Sequence, residues 1–363
     1  MKLTIDADTL ADVVTWAART LPARPTVPVL GGLLLEAEDG LTVSSFDYDV
    51  SSQARVSAEV AEPGRVLLPG RLLAQVCATL PDKPVTLASS DQDVELRCGA
   101  AEFVLRTMPV DDYPTLPSPP EPIGTVDAAL LREALQQVTP ATDSDSALVA
   151  LTGVRVDIDS TGLQFAGTDR YRLSTRSVGF QSTLPGTEAH ALVFVKVMQD
   201  LAKALPQTGQ VELGADDRLF SATFAGRTMT SRLLESEYPD YRERLANAVF
   251  PIVATVDVAP LTEAVKRVST MVGPLEPLRL EFGADEVQVR GGGGDKGRGC
   301  EAVACSLAGA EEAVVAFRVQ FLLEGLRGIH EDVVKLAITG DARQVLLAGE
   351  DPSYRYMVQA LRT

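Results

Sequence analysis

The chain has 363 residues, a formal net charge of −17, and 45% hydrophobic and 23% charged residues. That length accommodates two or three domains with buried cores, and the acidity excludes a protein that coats nucleic acid through an overall basic surface. No run approaches the roughly 18 uninterrupted apolar residues of a membrane span, and Met1-Lys2-Leu3-Thr4-Ile5-Asp6 carries no apolar signal core, so a cytoplasmic protein is expected.

Four scattered cysteines (Cys77, Cys98, Cys300, Cys305) and only two histidines point to reduced core thiols, with no disulfide and no metal site. In chain order, Thr4-Ile5-Asp6 reads as a short strand ending in a helix-capping Asp. Leu10, Val14 and Ala17 then fall on one face of a helix predicted over 8–19, with Trp16 beside that stripe and expected in the core. A second helix is predicted over 70–80, followed by Pro81-Asp82-Lys83-Pro84, a strand at Val85-Thr86-Leu87, and alternating strand pattern from Val94 to Met108. After the loop Asp112-Tyr113-Pro114, the run Pro117-Ser118-Pro119-Pro120-Glu121-Pro122 reads as a linker.

The pattern then restarts. Thr125-Val126-Asp127 leads into a helix over 128–138, with Leu131, Leu135 and Val138 at the same offsets from the Asp. A helix over 196–205, the turn Pro206-Gln207-Thr208-Gly209 and the strand Val211-Glu212-Leu213 follow, then strand pattern from Leu219 to Leu234 and the loop Glu237-Tyr238-Pro239. A third copy opens at Thr255-Val256-Asp257, with Leu261, Val265 and Val268 in a helix over 258–270, a helix over 317–328, and strands at Val334-Lys335-Leu336 and from Gln344 to Leu361. The chain is therefore read as α+β, with three copies of one unit over 1–121, 122–251 and 252–363, each of normal domain size.

Charge divides unevenly over these elements. The six predicted helices hold nine basic and six acidic residues, or +3, leaving −20 on the rest of the chain. Helices facing a polyanion would offer weak positive potential while the remaining surface repels it. Catalysis finds no support. Gly292, Gly294 and Gly297 form a GxGxxG, but the following residues read as a strand where a dinucleotide fold needs a helix, so a hairpin loop is expected. His190 and His330 stand in no catalytic spacing, and no cofactor is implied.

Leu21-Pro22-Ala23-Arg24-Pro25-Thr26-Val27-Pro28-Val29-Leu30, Thr168-Asp169-Arg170-Tyr171-Arg172-Leu173, Glu237-Tyr238-Pro239-Asp240-Tyr241-Arg242 and Tyr354-Arg355-Tyr356, in this order on a threefold repeat, resemble the bacterial sliding clamp family, the beta subunit of DNA polymerase III. The resemblance spans nearly the whole chain. It implies a non-catalytic processivity subunit: a homodimeric, head-to-tail ring of six domains, with helices lining the hole and antiparallel sheets outside. It also implies two kinds of partner, duplex DNA bound without sequence preference, and the replicative polymerase, clamp loader and repair proteins bound through short peptides.

Carried over position by position, the peptide pocket would comprise Leu151, Thr168, Arg170, Tyr171, Arg172, Leu173, Pro239, Arg242, Met357, Gln359, Ala360, Leu361 and Arg362. Arg24, Arg71, Arg132, Lys196, Lys203 and Arg267 would face DNA, and Phe103, Leu105 and Met271 would meet at the dimer interface. The chain departs from the family at this pocket. Gln359-Ala360 stands where an apolar residue and a proline are common, and Arg170 where a small residue is common. Two alternatives follow: a specialised clamp copy giving tolerance to clamp-binding antibiotics, or an acidic peptide-binding scaffold that does not encircle DNA.

Overall fold

The computed structural model describes every residue except 160, 161, 184–187, 275, 294–296 and 363. Helices α1 (Ala7–Ala18), α2 (Gly70–Cys77), α3 (Ala128–Val138), α4 (Val195–Ala204), α6 (Val258–Ser269) and α7 (Val319–Arg327) match the six predicted, and α5 (Tyr241–Asn247) was not foreseen. α1 opens as expected, since the Asp6 carboxylate accepts from Thr9 N at 3.0 Å. The equivalent Asp257 makes no side-chain cap bond, which corrects the expectation of a cap there.

The observed ends also revise the charge argument. Arg19 is the C-cap of α1 and Arg318 the N-cap of α7, so the same six helices hold seven basic and six acidic residues, or +1. The remainder still carries −18. The asymmetry survives, at a third of its size on the helices.

Two compact units divide the chain, one of Met1–Ala129 and Lys203–Leu233 with 181–183, the other of the remaining described residues. In the first unit, a five-stranded sheet runs in the order Glu59–Glu62, Lys2–Ile5, Val85–Ser89, Asp93–Cys98, Ala101–Arg106. A nine-stranded sheet joins first-repeat strands to second-repeat strands through the antiparallel pair Val50–Val56 and Arg227–Arg232. Trp16, 2% exposed, meets Phe224 edge-on at 5.5 Å and donates to Gln53 O at 3.3 Å, so its indole N–H is satisfied within the core.

A twelve-stranded sheet forms the second unit. It passes from the second repeat to the third through Arg172–Val178 paired with Tyr354–Gln359. Leu261, Ala264, Val265 and Val268 of α6 and Leu322 and Leu326 of α7 bury one helix face each in a shared core with Phe317, Leu336 and Leu347. Each fully buried Leu or Val side chain contributes about 1.5–3 kcal/mol.

Cys77 and Cys98 are buried thiols as expected. Cys300 corrects that expectation: it is exposed, because its register on Arg298–Ala308 turns it away from the core, and Cys305 is half-buried. Gly291–Gly292 pairs antiparallel with Arg298–Gly299, so a strand and not a helix follows Gly297. Residues 294–296 of that motif lie outside the described residues.

Candidate functional site

Where the second and third repeats share a sheet, Leu173 lies opposite Met357 and Arg172 opposite Val358, while Thr168 lies opposite Leu173 on the other side. Asp169 shapes the turn between the strands. Its Oδ1 accepts from Tyr171 N and Arg172 N, both at 3.0 Å, and its Oδ2 accepts from Arg172 Nε at 3.0 Å. The turn places Arg170 at φ 79°, a left-handed conformation that a side chain enters only at a cost. Thr168 Oγ1 donates to Arg172 O at 2.7 Å and accepts from Arg170 N at 3.2 Å, closing the turn.

The C-terminal segment is pinned beside this turn by its backbone. Gln359 N donates to Tyr171 O at 2.7 Å, Ala360 N to Arg343 O at 2.9 Å and Leu361 N to Ala316 O at 2.8 Å. Thr168, Arg170, Tyr171, Arg172, Leu173, Met357 and Gln359 thus line one narrow cleft of about 10 Å³, together with Arg244 and Gln344. Leu361 lines a neighbouring cavity of about 710 Å³ with Val272, Arg318, Phe321 and Leu323.

Arginines and rings knit the site. The Arg172 guanidinium, 7% exposed in its residue, stacks 4.1 Å from the Phe321 ring centre and bonds to Glu324 and Pro140 O. Arg318 sits 5.3 Å from the Tyr171 ring and 5.4 Å from the Phe321 ring. Burial pushes the Tyr356 hydroxyl well above the usual phenol range, which keeps it a neutral donor to Phe321 O at 2.9 Å.

Not every expected pocket residue gathers here. Pro239 and Arg242 line a separate polar cavity of about 380 Å³ with Arg155, Asp157, Asp159 and His190. Arg242 is committed there, donating to Asp159 at 3.0 Å and to Gln164 at 3.2 Å. The cleft arginine is instead Arg244, two residues along α5. Positions two apart on a helix point about 200° from each other, so the two guanidinia face opposite sides. Leu151 is buried at 3% exposure, Ala360 is half-buried against the third-repeat core, and Arg362 is exposed. Arg318 and Phe321 were missed as site residues. Their only sequence signal is the start of the predicted helix, which Arg318 caps and within which Phe321 lies.

The expected DNA-facing residues fall into different settings. Arg24 and Lys196 are exposed, while Arg132 is half-buried. Arg71 donates to Leu21 O at 3.4 Å and Pro22 O at 3.2 Å, bracing the loop that carries Arg24. Lys203 is exposed in the last turn of α4. Arg267 is exposed and held by Glu301 at 2.6 Å, with Glu263 nearby at 3.8 Å. Among the interface candidates, Leu105 is 4% exposed and packs in its own sheet's core, leaving little of its side chain to meet a second copy. Phe103 is half-buried on that same face at the sheet edge, and Met271 is half-buried just beyond α6.

Three family models match in tandem. The N-terminal, central and C-terminal domains of the DNA polymerase III beta subunit match residues 1–117, 125–240 and 248–361. Among curated proteins, the beta sliding clamp of Streptomyces coelicolor is 41% identical over 100% of this chain and 99% of its own length. A beta sliding clamp homolog, GriR, of Streptomyces muensis is 35% identical over 100% of this chain and 99% of its own. Among solved structures, the DNA polymerase III subunit beta of Pseudomonas aeruginosa is 25% identical with a TM-score of 0.92, covering 100% of both chains. A clamp of that organism bound to griselimycin shares the fold at 24% identity, with a TM-score of 0.93 over 100% of both chains. Three family models in tandem and a full-length relative at 41% identity establish the assignment: the chain belongs to the DNA polymerase III beta subunit family, the beta sliding clamps.

Proposed function

We propose that two copies of this chain close head to tail into a ring around duplex DNA and tether the replicative polymerase to it, with domains at 1–121, 122–251 and 252–363. One observation carries the ring. Twice within the chain, the last strand of one repeat pairs with a strand of the repeat before it: Arg227–Arg232 with Val50–Val56, and Tyr354–Gln359 with Arg172–Val178. The last strand of the first repeat, Ala101–Arg106, has a single neighbour among the described residues. Residues 298–304, the third-repeat counterpart of Val50–Val56, are likewise paired on one side only among the described residues. A second copy supplies the missing partner to each, a heterologous contact that closes after two subunits.

The ring holds DNA by weak, sequence-independent contacts from Arg24, Arg132, Lys196 and Lys203, which let it slide. The 710 Å³ cavity at Leu361, with the narrow cleft between Thr168–Leu173 and Met357–Gln359 beside it, takes a short amphipathic peptide from the polymerase, clamp loader or repair proteins. Such a protein works in the cytoplasm, and no helix among the described residues is long and apolar enough to cross a membrane. The test is solution mass with retention on DNA. A mass near twice 38.7 kDa and retention on circular but not linear DNA after loading support the reading. A stable monomer, or equal retention on both DNAs, overturns it in favour of an acidic peptide-binding scaffold.

A second reading rests on Gln359 in the cleft wall and Arg170 at its mouth. These polar groups would alter the fit of compounds that occupy the cleft, as expected of a clamp copy conferring tolerance. Griselimycin binding to this chain equal to that of an ordinary clamp would remove that reading.

A further inference from the structure

The 710 Å³ cavity that Leu361 lines has an apolar wall (Val272, Val319, Phe321, Leu323) and charged groups at its margin. Its two acids are engaged: Glu324 accepts from Arg172 and from Gln320 at 2.9 Å, and Glu276 accepts from Gly273 N at 2.9 Å. Arg318 is exposed, and its guanidinium has ring neighbours but no acidic partner among the described residues. Its α7 N-cap role uses backbone alone, without a side-chain hydrogen bond. The two rings beside it leave the guanidinium edge, with its fork of N–H donors, for a planar acceptor. One of those rings belongs to Tyr171, which lines the narrow cleft, so Arg318 stands where cleft and cavity meet.

Resting on the peptide-cleft reading above, we propose that Arg318 is a specificity residue that selects partner peptides carrying a carboxylate next to the apolar side chain seated in the cavity. The charge complementarity is local. In a chain of net charge −17, this cation has no acidic partner among the described residues and is flanked by apolar surface, while Glu276 and Glu324 of the same cavity are bonded elsewhere. An incoming carboxylate would gain a charge-assisted pair there, whereas elsewhere on the acidic surface it would be repelled. An Asp or Glu side chain and a C-terminal carboxylate offer the same planar group, and the experiment separates them.

Fluorescence anisotropy would compare fluorescein-labelled nine-residue peptides containing Gln, two Leu and Phe. One pair differs by a single Glu or Gln beside the Leu-Phe segment, the other by a free or amidated C-terminus. We expect the full-length chain to bind one acidic member about tenfold more tightly than its neutral twin. Arg318→Gln should bind both members of that pair with equal affinity, whatever its effect on the neutral twin, and Arg318→Lys should restore part of the preference. Equal affinity for both members of both pairs, with measurable binding, overturns the proposal and leaves the cleft reading intact. A preference that persists in Arg318→Gln also overturns it. If no peptide binds the full-length chain, the cleft reading itself fails and the proposal with it. Unchanged peptide preference with weaker DNA retention in Arg318→Gln assigns the residue to nucleic acid instead.

Discussion

Replacing Arg172 with Met tests the mechanical account of the cleft. The Arg172 side chain is 6% exposed, and its guanidinium stands between Asp169 at 3.0 Å and Glu324, whose side chains are 11% and 16% exposed. Removing one partner of a buried ion pair costs about 3–5 kcal/mol, because the other charge stays desolvated without compensation. Asp169 retains two backbone N–H donors and Glu324 retains Gln320, so the expected loss lies at the low end, about 3 kcal/mol. Met removes the guanidinium's stacking on Phe321 together with its charge, while keeping an apolar stem in the buried position.

The sole tryptophan, Trp16, lies in the other compact unit, so its fluorescence is the wrong probe. Hydrogen exchange of strand Arg172–Val178 in a urea series reads the right unit. Adding Glu324→Leu to Arg172→Met should recover more than about 1 kcal/mol, the sign of coupling between neighbours. A loss below about 1 kcal/mol for Arg172→Met alone, or strict additivity in the double variant, would refute the idea that this pair holds the site together.

Arg170→Gly should be more stable than Arg170→Val by more than about 1 kcal/mol in chemical denaturation, since φ 79° penalises a β-branched residue most. Lys196→Glu with Lys203→Glu should weaken DNA retention and flatten its salt dependence by about one unit of slope per lost phosphate contact; an unchanged slope means another wall faces DNA. Phe103→Asp should convert a dimer to a 38.7 kDa species by sedimentation with its far-UV spectrum unchanged. Burial pushes the Cys77 thiol up to about 12, so alkylation at pH 8 should label exposed Cys300 and spare Cys77. Because that pKa is raised in the folded state, the thiol's contribution to stability is complete below about pH 9 and declines as pH rises toward 12.

Legibility followed the period of burial. α3 falls on the predicted 128–138 because its apolar offsets and its following Thr139-Pro140 mark both ends. The sequence predicts α2 to residue 80, but the helix stops at Cys77, and Thr79 turns its hydroxyl back to Val76 O at 2.9 Å before Pro81. α5 escaped because seven residues give too short a stripe, although Asp240, with Glu243 three residues on, is a capping-box pattern. Its absence explains the misplaced arginine. Without a helix at Tyr241–Asn247, nothing distinguishes the side that Arg242 faces from the side of Arg244. Cys300 shows the same limit in a strand, where a one-residue register decides between core and solvent.

The cleft's chemistry comes from its side chains, for its turn is used twice. In the first repeat, Asp47 Oδ1 accepts from Asp49 N at 3.1 Å and Val50 N at 2.8 Å, and the intervening Tyr48 has φ 77°. In the second, Asp169 holds Tyr171 N and Arg172 N, and the intervening Arg170 has φ 79°. Both turns lead into the strand that receives the last strand of the following repeat. The backbone device is therefore a property of the repeat, preserved because an Asp-braced turn starts the joining strand. What differs is the cargo. Tyr48, Asp49 and Val50 offer one ring and one acid, whereas Arg170, Tyr171 and Arg172 offer a ring between two guanidinia, with Arg318 added from α7's start. A second-join turn with first-join side chains would keep the sheet and lose the basic, ring-lined mouth. That separation lets the joint stay constant while the peptides it admits change with three or four side chains.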